Sequence, residues 1–280
     1  MDETAAARYG SEESCRRRLE FFLNTQKKGV AHFYQNPQDP TGFNLSNEVA
    51  RASRLVKSVI RDKLLGDDPQ IKELAKDLAV LALYDMAILI DDSESMTYEE
   101  NGQRIEILKG VLNIINDIYR HAAEPQTGIR AIRFMNNYND QDRFLGNPYK
   151  LIEGHYFGGT TKIGTELHKR ILKPLVLGTS AMKKPLLVMV ITDGAIEGEK
   201  KGLLEKVIIN CVNKLNNERP MGADSVAFQF SCIGDDEGAR KVLQDLDDHK
   251  VVGDYVDCQK GVSHAMITLP NKGSFNIRSK

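Results

Sequence analysis

Ile88-Leu89-Ile90-Asp91-Asp92-Ser93-Glu94-Ser95-Met96 is the stretch whose reading decides the fold. An apolar run stops abruptly at two carboxylates, and hydroxyls follow at every second position. Strands buried on both faces read as apolar runs with little alternation, so this run ends at the carboxyl edge of a sheet. The same texture recurs on either side. Apolar runs at 86–90, 129–135, 186–191, 226–233 and, more weakly, 253–256 alternate with amphipathic stretches near 103–121, 164–178, 200–216 and 236–247. Strand–helix alternation predicts a mostly parallel sheet with helices on both faces. Right-handed crossovers then give a doubly wound α/β fold.

The flanks differ. Residues 1–82 read as a helical region. Leu19, Phe22, Leu23, Val30, Phe33 and Tyr34 recur at helical spacing, interrupted by Gly29. The segment 36–42, rich in Pro, Asp and Gly, reads as a loop. A second helix is expected over about 48–65, with Val49, Ala52, Leu55, Val56, Val59 and Ile60 on one face. A third starts at Pro69, with Asp68 placed to cap it. The tail, 261–280, holds two short apolar stretches, 265–269 and 274–277, expected as short strands.

Composition removes several classes of function. The chain has 280 residues, enough for one large domain or two ordinary ones. Lys plus Arg total 38 against 39 for Asp plus Glu, a net charge of -1. That balance lacks the basic field expected of a nucleic-acid or membrane-surface binder. The apolar runs are strand-sized, so no membrane span is expected. Cys15, Cys211, Cys232 and Cys258 show no C-x-x-C or metal-finger spacing. Free thiols, a reducing compartment and a cytoplasmic location are the expectation.

In a doubly wound sheet, ligands bind beyond the carboxyl ends of the strands. Three loops reach that edge: Asp91 to Met96, Gly158-Gly159-Thr160-Thr161-Lys162-Ile163-Gly164, and Thr192-Asp193-Gly194. The D-x-S-x-S spacing aims alternate oxygens at one point. These are hard ligands, suited to Mg²⁺, Mn²⁺ or Ca²⁺ rather than zinc. Two carboxylates with neutral hydroxyls leave such a cation ready to take an external carboxylate.

The three loops together resemble the von Willebrand factor type A (vWA) domain over about residues 83–260. Asp91, Ser93 and Ser95 match its first motif, Thr161 its second and Asp193 its third. Leu81-Ala82-Leu83-Tyr84-Asp85, Arg133-Phe134-Met135-Asn136 and Phe228 to Asp236 are further similar to a vWA variety common in fungal proteins. The resemblance implies a metal-ion-dependent adhesion site, with Mg²⁺ as the first choice of cation. Ser93 and Ser95 would bind it directly, Asp91 and Asp193 directly or through water, and Thr161 in the ligand-bound arrangement. Two residues between Thr161 and Gly164 favour Thr161 over Thr160. Glu94 stands where many members carry glycine, and it would be costly if that position needs a left-handed backbone.

The implied function is cation-dependent binding of a protein that offers an Asp or Glu carboxylate. No residue stands out as nucleophile or general base, so the chain reads as a binding module rather than an enzyme. A metal-assisted hydrolase using the same carboxylates is the alternative. A phospho-receiver reading fails because 135–137 offers no acceptor aspartate. Among neighbours of the motifs, Asp92 reads as a solvent-facing or turn-capping residue, otherwise as support behind the ligands alongside Thr160 and Glu94. Thr192 reads as satisfying strand-end backbone groups, and Asn136 and Asn137 as turn residues. The histidines show no metal spacing and read as surface or half-buried polar residues. Arg16-Arg17-Arg18 reads as a solvated helix face.

Overall fold

The computed structural model describes residues 2–62, 69–98, 102–178, 182–194, 196–218, 222–234 and 236–262. It opens with α1 (Asp2–Tyr9), α2 (Glu12–Phe21) and α3 (Lys28–Ala31), with π-wound turns at Phe22–Gln26 between the last two. Ser11 starts α2 by accepting a hydrogen bond from the Ser14 N–H at 3.2 Å. A small antiparallel ribbon of β1 (Gln35–Asn36) and β2 (Asp39–Phe43) precedes α4 (Ser46–Arg61) and α5 (Pro69–Leu78). A 3-10 turn, Ala79–Leu83, leads into β3 (Asp85–Ile90).

The remainder alternates strands and helices. After α6 (Ser95–Tyr98) and α7 (Gln103–Ala122) come β4 (Ile129–Phe134) and β5 (Gln141–Phe144). The helix α8 (Ile163–Glu166) runs on as π-wound turns over Leu167–Leu177 and leads to β6 (Leu186–Thr192). The series closes with α9 (Leu203–Glu218), β7 (Val226–Ile233), α10 (Glu237–Asp247) and β8 (Val256–Val262).

Strands β3 to β8 form one sheet in the order β5-β4-β3-β6-β7-β8, parallel except for β5 at its edge. This is the doubly wound architecture the apolar runs predict. Successive side chains of the central strands enter two different cores. Ile88 and Ile90 of β3 meet α4 and α7 on one face, and Ala87 and Leu89 meet α9 and the 167–177 turns on the other. Burial on both faces explains why the strand sequences do not alternate.

Three expectations shift, and one strand goes unanticipated. The loop at 36–42 folds partly as the β1–β2 ribbon, because short polar strands carry no apolar period to detect. The weak run at 253–256 is mostly a 3-10 turn, and the strand lies later, at Val256–Val262. The edge strand β5, Gln-Asp-Arg-Phe, sends only Phe144 against the core, too little to give an apolar period. The second helix spans Ser46–Arg61 rather than 48–65. Asp68 and the tail strands at 265–269 and 274–277 lie outside the described residues.

The N-terminal helices complete one face of the sheet. Leu19, Val30, Leu55 and Val59 share a core with Ile88, Ile90 and Met189. A buried polar tie reinforces this packing. Arg51 donates through Nε to the Ala122 carbonyl at 3.0 Å, and through Nη2 to Glu48 at 2.8 Å and to the Ala82 carbonyl at 3.1 Å. Lys184, before β6, pairs with Glu124 at 2.8 Å and with Glu48 at 3.7 Å. Leu55→Ala should therefore lower the stability of the whole α/β unit by about 2–5 kcal/mol. Chemical denaturation checks it. An unchanged main transition would mean that the helices fold apart from the sheet.

Candidate functional site

The connections from β3 and from β6 leave in opposite directions. From β3 the chain passes through α7 to β4, and from β6 through α9 to β7, with the two helices on opposite faces. The carboxyl ends of β3 and β6 therefore flank the topological switch point, where such sheets bind ligands. Register does the rest. Ile90 pairs with Ile191, and the Asp91 N–H reaches the Ile191 carbonyl at 2.9 Å. Asp91 and Asp193 thus emerge side by side, each with no exposed surface.

A chain of hydrogen bonds links them. Asp91 Oδ1 accepts from the Ser93 N–H at 3.0 Å, and Asp91 Oδ2 from the Thr192 hydroxyl at 2.6 Å. The Ser93 and Ser95 hydroxyls are 3.0 Å apart, and Ser95 donates to Asp193 Oδ1 at 3.1 Å. Asp193 Oδ2 takes the Arg104 guanidinium, from the first turn of α7, at 2.8 Å. Burial pushes the Asp91 carboxyl up to about 6, and its neighbour Asp193 adds to the shift. Burial also raises Asp193, against the lowering effect of Arg104.

The second loop brings Thr161 to this cluster. A methyl group added at Gly194 would stand 3.5 Å from Thr161 Oγ1 and 3.8 Å from Ser95 Oγ, so both hydroxyls face the same space. Thr160 turns the other way. Its Oγ1 is buried without a hydrogen-bond partner and would stand 2.7 Å from a methyl added at Gly198. Backbone bonds tie the three loops together. The Gly158 N–H bonds the Asp92 carbonyl at 2.8 Å, the Glu94 N–H the Gly159 carbonyl at 3.3 Å, and the Glu197 N–H the Thr161 carbonyl at 3.0 Å. Glu199 anchors the start of α8, accepting from the Gly164 and Thr165 N–H groups at 2.9 and 2.8 Å.

Several neighbours differ from their sequence reading. Asp92 does not face solvent; it has no exposed surface and accepts bonds from the Asn136 and Asn137 N–H groups at 2.7 and 3.0 Å. His155 Nε2 lies 3.0 Å from the same carboxylate, its ring stacked on Phe134 at 3.9 Å. Asp92 is thus a strut that joins β3 to the end of β4 and to 155–158. Asn136 is more than a turn residue: its Oδ1 accepts from the Thr160 N–H at 3.2 Å. It also excludes a side chain at Gly159, where an added methyl would fall 2.4 Å from that oxygen and where φ is 94°. Thr192 positions Asp91 rather than serving the backbone alone. Glu94 is exposed and keeps an ordinary φ, so no glycine is needed there.

Arg104 and His155 escape a reading of the sequence. Both sit in ordinary helix or loop context, and only the fold brings them to a carboxylate. Thr192 carries a usable signal, a hydroxyl one residue before the third-motif aspartate.

The oxygens gathered here are two carboxylates and three hydroxyls, a hard donor set that fits Mg²⁺, Mn²⁺ or Ca²⁺. Among the described residues, no group of three or more His, Cys, Asp or Glu side chains is placed to hold a metal.

No protein-family model and no curated protein matches the chain. Solved structures similar to it include the following two. One is a von Willebrand factor type A protein from Catenulispora acidiphila, 16% identical, TM-score 0.43, covering 66% of this chain and 40% of that one. The other is proximal thread matrix protein 1 from the mussel byssus, 17% identical, TM-score 0.44, covering 66% of this chain and 45% of that one. The chain therefore matches less than half the length of either.

Two tests follow from the geometry. The folded Asp91 carboxyl lies above its ordinary value of 3.8, so the fold favours the neutral form. That contribution is complete below 3.8 and is lost as pH rises through about 6. In chelator, the melting temperature should fall over this window, and Asp91→Asn should flatten the fall. An identical slope in the variant would contradict the assignment. Thr160→Val should be neutral or stabilising by about 1 kcal/mol, because it replaces a buried hydroxyl that has no partner. Calorimetric melting reads this directly.

Proposed function

We propose that the chain is a divalent-cation-dependent protein-binding module whose site is a metal-ion-dependent adhesion site of the vWA type. The supporting observation is the convergence of Asp91, Ser93, Ser95, Thr161 and Asp193 at the switch point of the sheet. Asp91 and Asp193 would hold Mg²⁺, or Mn²⁺ or Ca²⁺, with the three hydroxyls. The cation supplies a positive point to which an Asp or Glu carboxylate of a partner protein can bind.

Arg104 sharpens the electrostatics. Among the described residues, one guanidinium against two carboxylates leaves a single negative charge at the cluster. A bound divalent cation then leaves one positive charge in a buried setting, which favours an anionic partner group. The near-neutral chain speaks against nucleic acid as that partner. Among the described residues no helix is long and apolar enough to cross a membrane. None of the four cysteines forms a disulfide, which supports a cytoplasmic setting.

The reading is of binding rather than turnover. Ser93, Ser95 and Thr192 already bond to one another or to the two carboxylates, which leaves none of these hydroxyls paired with a separate base. Phosphatase or esterase turnover with Mn²⁺ that disappears in Asp193→Ala would replace this reading with the hydrolase.

Titration calorimetry tests the proposal. Mg²⁺ and Mn²⁺ should bind the wild type and not Asp91→Ala; no binding by the wild type overturns it. Arg104→Met should bind Mg²⁺ more tightly, by about tenfold for roughly 1.4 kcal/mol of relieved repulsion. The same variant should bind Asp- or Glu-containing peptides more weakly than the wild type in the presence of Mg²⁺.

A further inference from the structure

A cavity of about 310 Å³ lies at the opposite end of the sheet from the carboxylate cluster, between the N-terminal helices and the starts of the strands. Its existence follows from β7. On one face that strand presents Val226, Phe228, Phe230 and Cys232 to a filled core. On the other it presents Ala227, Gln229 and Ser231, so no large side chain reaches up beside Met86 of β3 and Met189 of β6. Phe22 and Ile115 form walls from the helical layer.

Among the described residues, two polar side chains in the lining bond no other protein group. Tyr84 and Gln229 are 7% and 8% exposed. Among the described residues, neither the Tyr84 hydroxyl nor the Gln229 carboxamide has a hydrogen-bond partner. Among the same residues, the one polar side-chain atom sealed in packing without a partner is Thr160 Oγ1, so these two groups open onto the cavity they line. Polar groups that face a largely apolar void without a protein partner mark a place where a guest can bond.

The surroundings define that guest. The cations at the rim are already engaged: Arg18 with Asp77 at 2.9 Å, and Lys27 with Asp224 at 3.7 Å and the Asp254 carbonyl at 3.2 Å. A neutral ligand therefore fits better than a charged one. Phe22 and Tyr84 meet edge to face at 6.3 Å, and the two methionines offer adaptable sulfur surfaces to a ring. A dry cavity of about 150 Å³ accepts one benzene ring, so this one has room for two fused rings.

We propose that this cavity is a binding site for a neutral, two-ring aromatic small molecule with one hydroxyl or carbonyl group, which Gln229 and Tyr84 hydrogen-bond. The site is separate from the cation cluster and independent of the function proposed for it.

Methyl NMR of the eight methionines, on the full chain, tests it. Met86→Leu and Met189→Leu assign the two signals of interest. In the wild type, 2-naphthol should shift both signals saturably and bind about tenfold more tightly than naphthalene, the worth of one or two net hydrogen bonds. Gln229→Leu should bring the two probes to within about threefold of one another. Ala227→Phe, which fills the cavity, should abolish the shifts. The proposal is overturned if 2-naphthol leaves both signals unmoved up to its solubility limit, or if the two probes bind the wild type equally. Shifts that persist in a folded Ala227→Phe also overturn it. Should that variant fail to fold, the Gln229→Leu comparison decides alone, and an unchanged preference there contradicts the assignment.

Discussion

Two carboxylates buried side by side, Asp91 and Asp193, impose the constraint around which the carboxyl edge of the sheet is organised. Each is stripped of water, and each raises the cost of ionising the other. Such a pair persists in a fold only when its neighbours offset that cost. Thr192 and the Ser93 N–H serve Asp91, while Ser95 and Arg104 serve Asp193. On the proposed reading, a divalent cation would supply the same compensation more completely, with the gathered hydroxyls as its further ligands.

The pair also depends on supports further back. Parallel pairing of β3 and β6 places the two aspartates at one height. Asp92 then faces away from the pair and fastens its loop to Asn136, Asn137 and His155, so adjacent acids have opposite tasks. Asn136 carries the tie onward to the Thr160 backbone. Thr161 reaches the cluster because Gly159 can take a positive φ and let that loop close against Asn136. At the other end of the strands, helices from residues 1–82 seal one face of the sheet, and their incomplete cover over β7 leaves the cavity.

Most of the fold is legible in the sequence because its signals are local. Buried parallel strands announce themselves as apolar runs, and α7, α9 and α10 as amphipathic periods. The β1–β2 ribbon and β5 are not legible, since polar edge strands lack a core-facing pattern. Strand order alone places the three motif loops at one edge. It does not supply the partners of those loops. Arg104 belongs to no motif, and only the path of α7 returns it to Asp193. Asp92 misleads because two adjacent acids look equivalent until the strand ends and one side chain turns inward.

The central claim is that Asp91, Ser93, Ser95, Thr161 and Asp193 together hold a divalent cation. Anomalous diffraction from a crystal grown with Mn²⁺ tests it most directly. The account predicts a peak at the switch point, with hydroxyl or carboxylate oxygens of these residues at about 2.1 Å, the distance of compact octahedral coordination. A map with no peak there, in which Arg104 still bridges to Asp193 at saturating Mn²⁺, would contradict it.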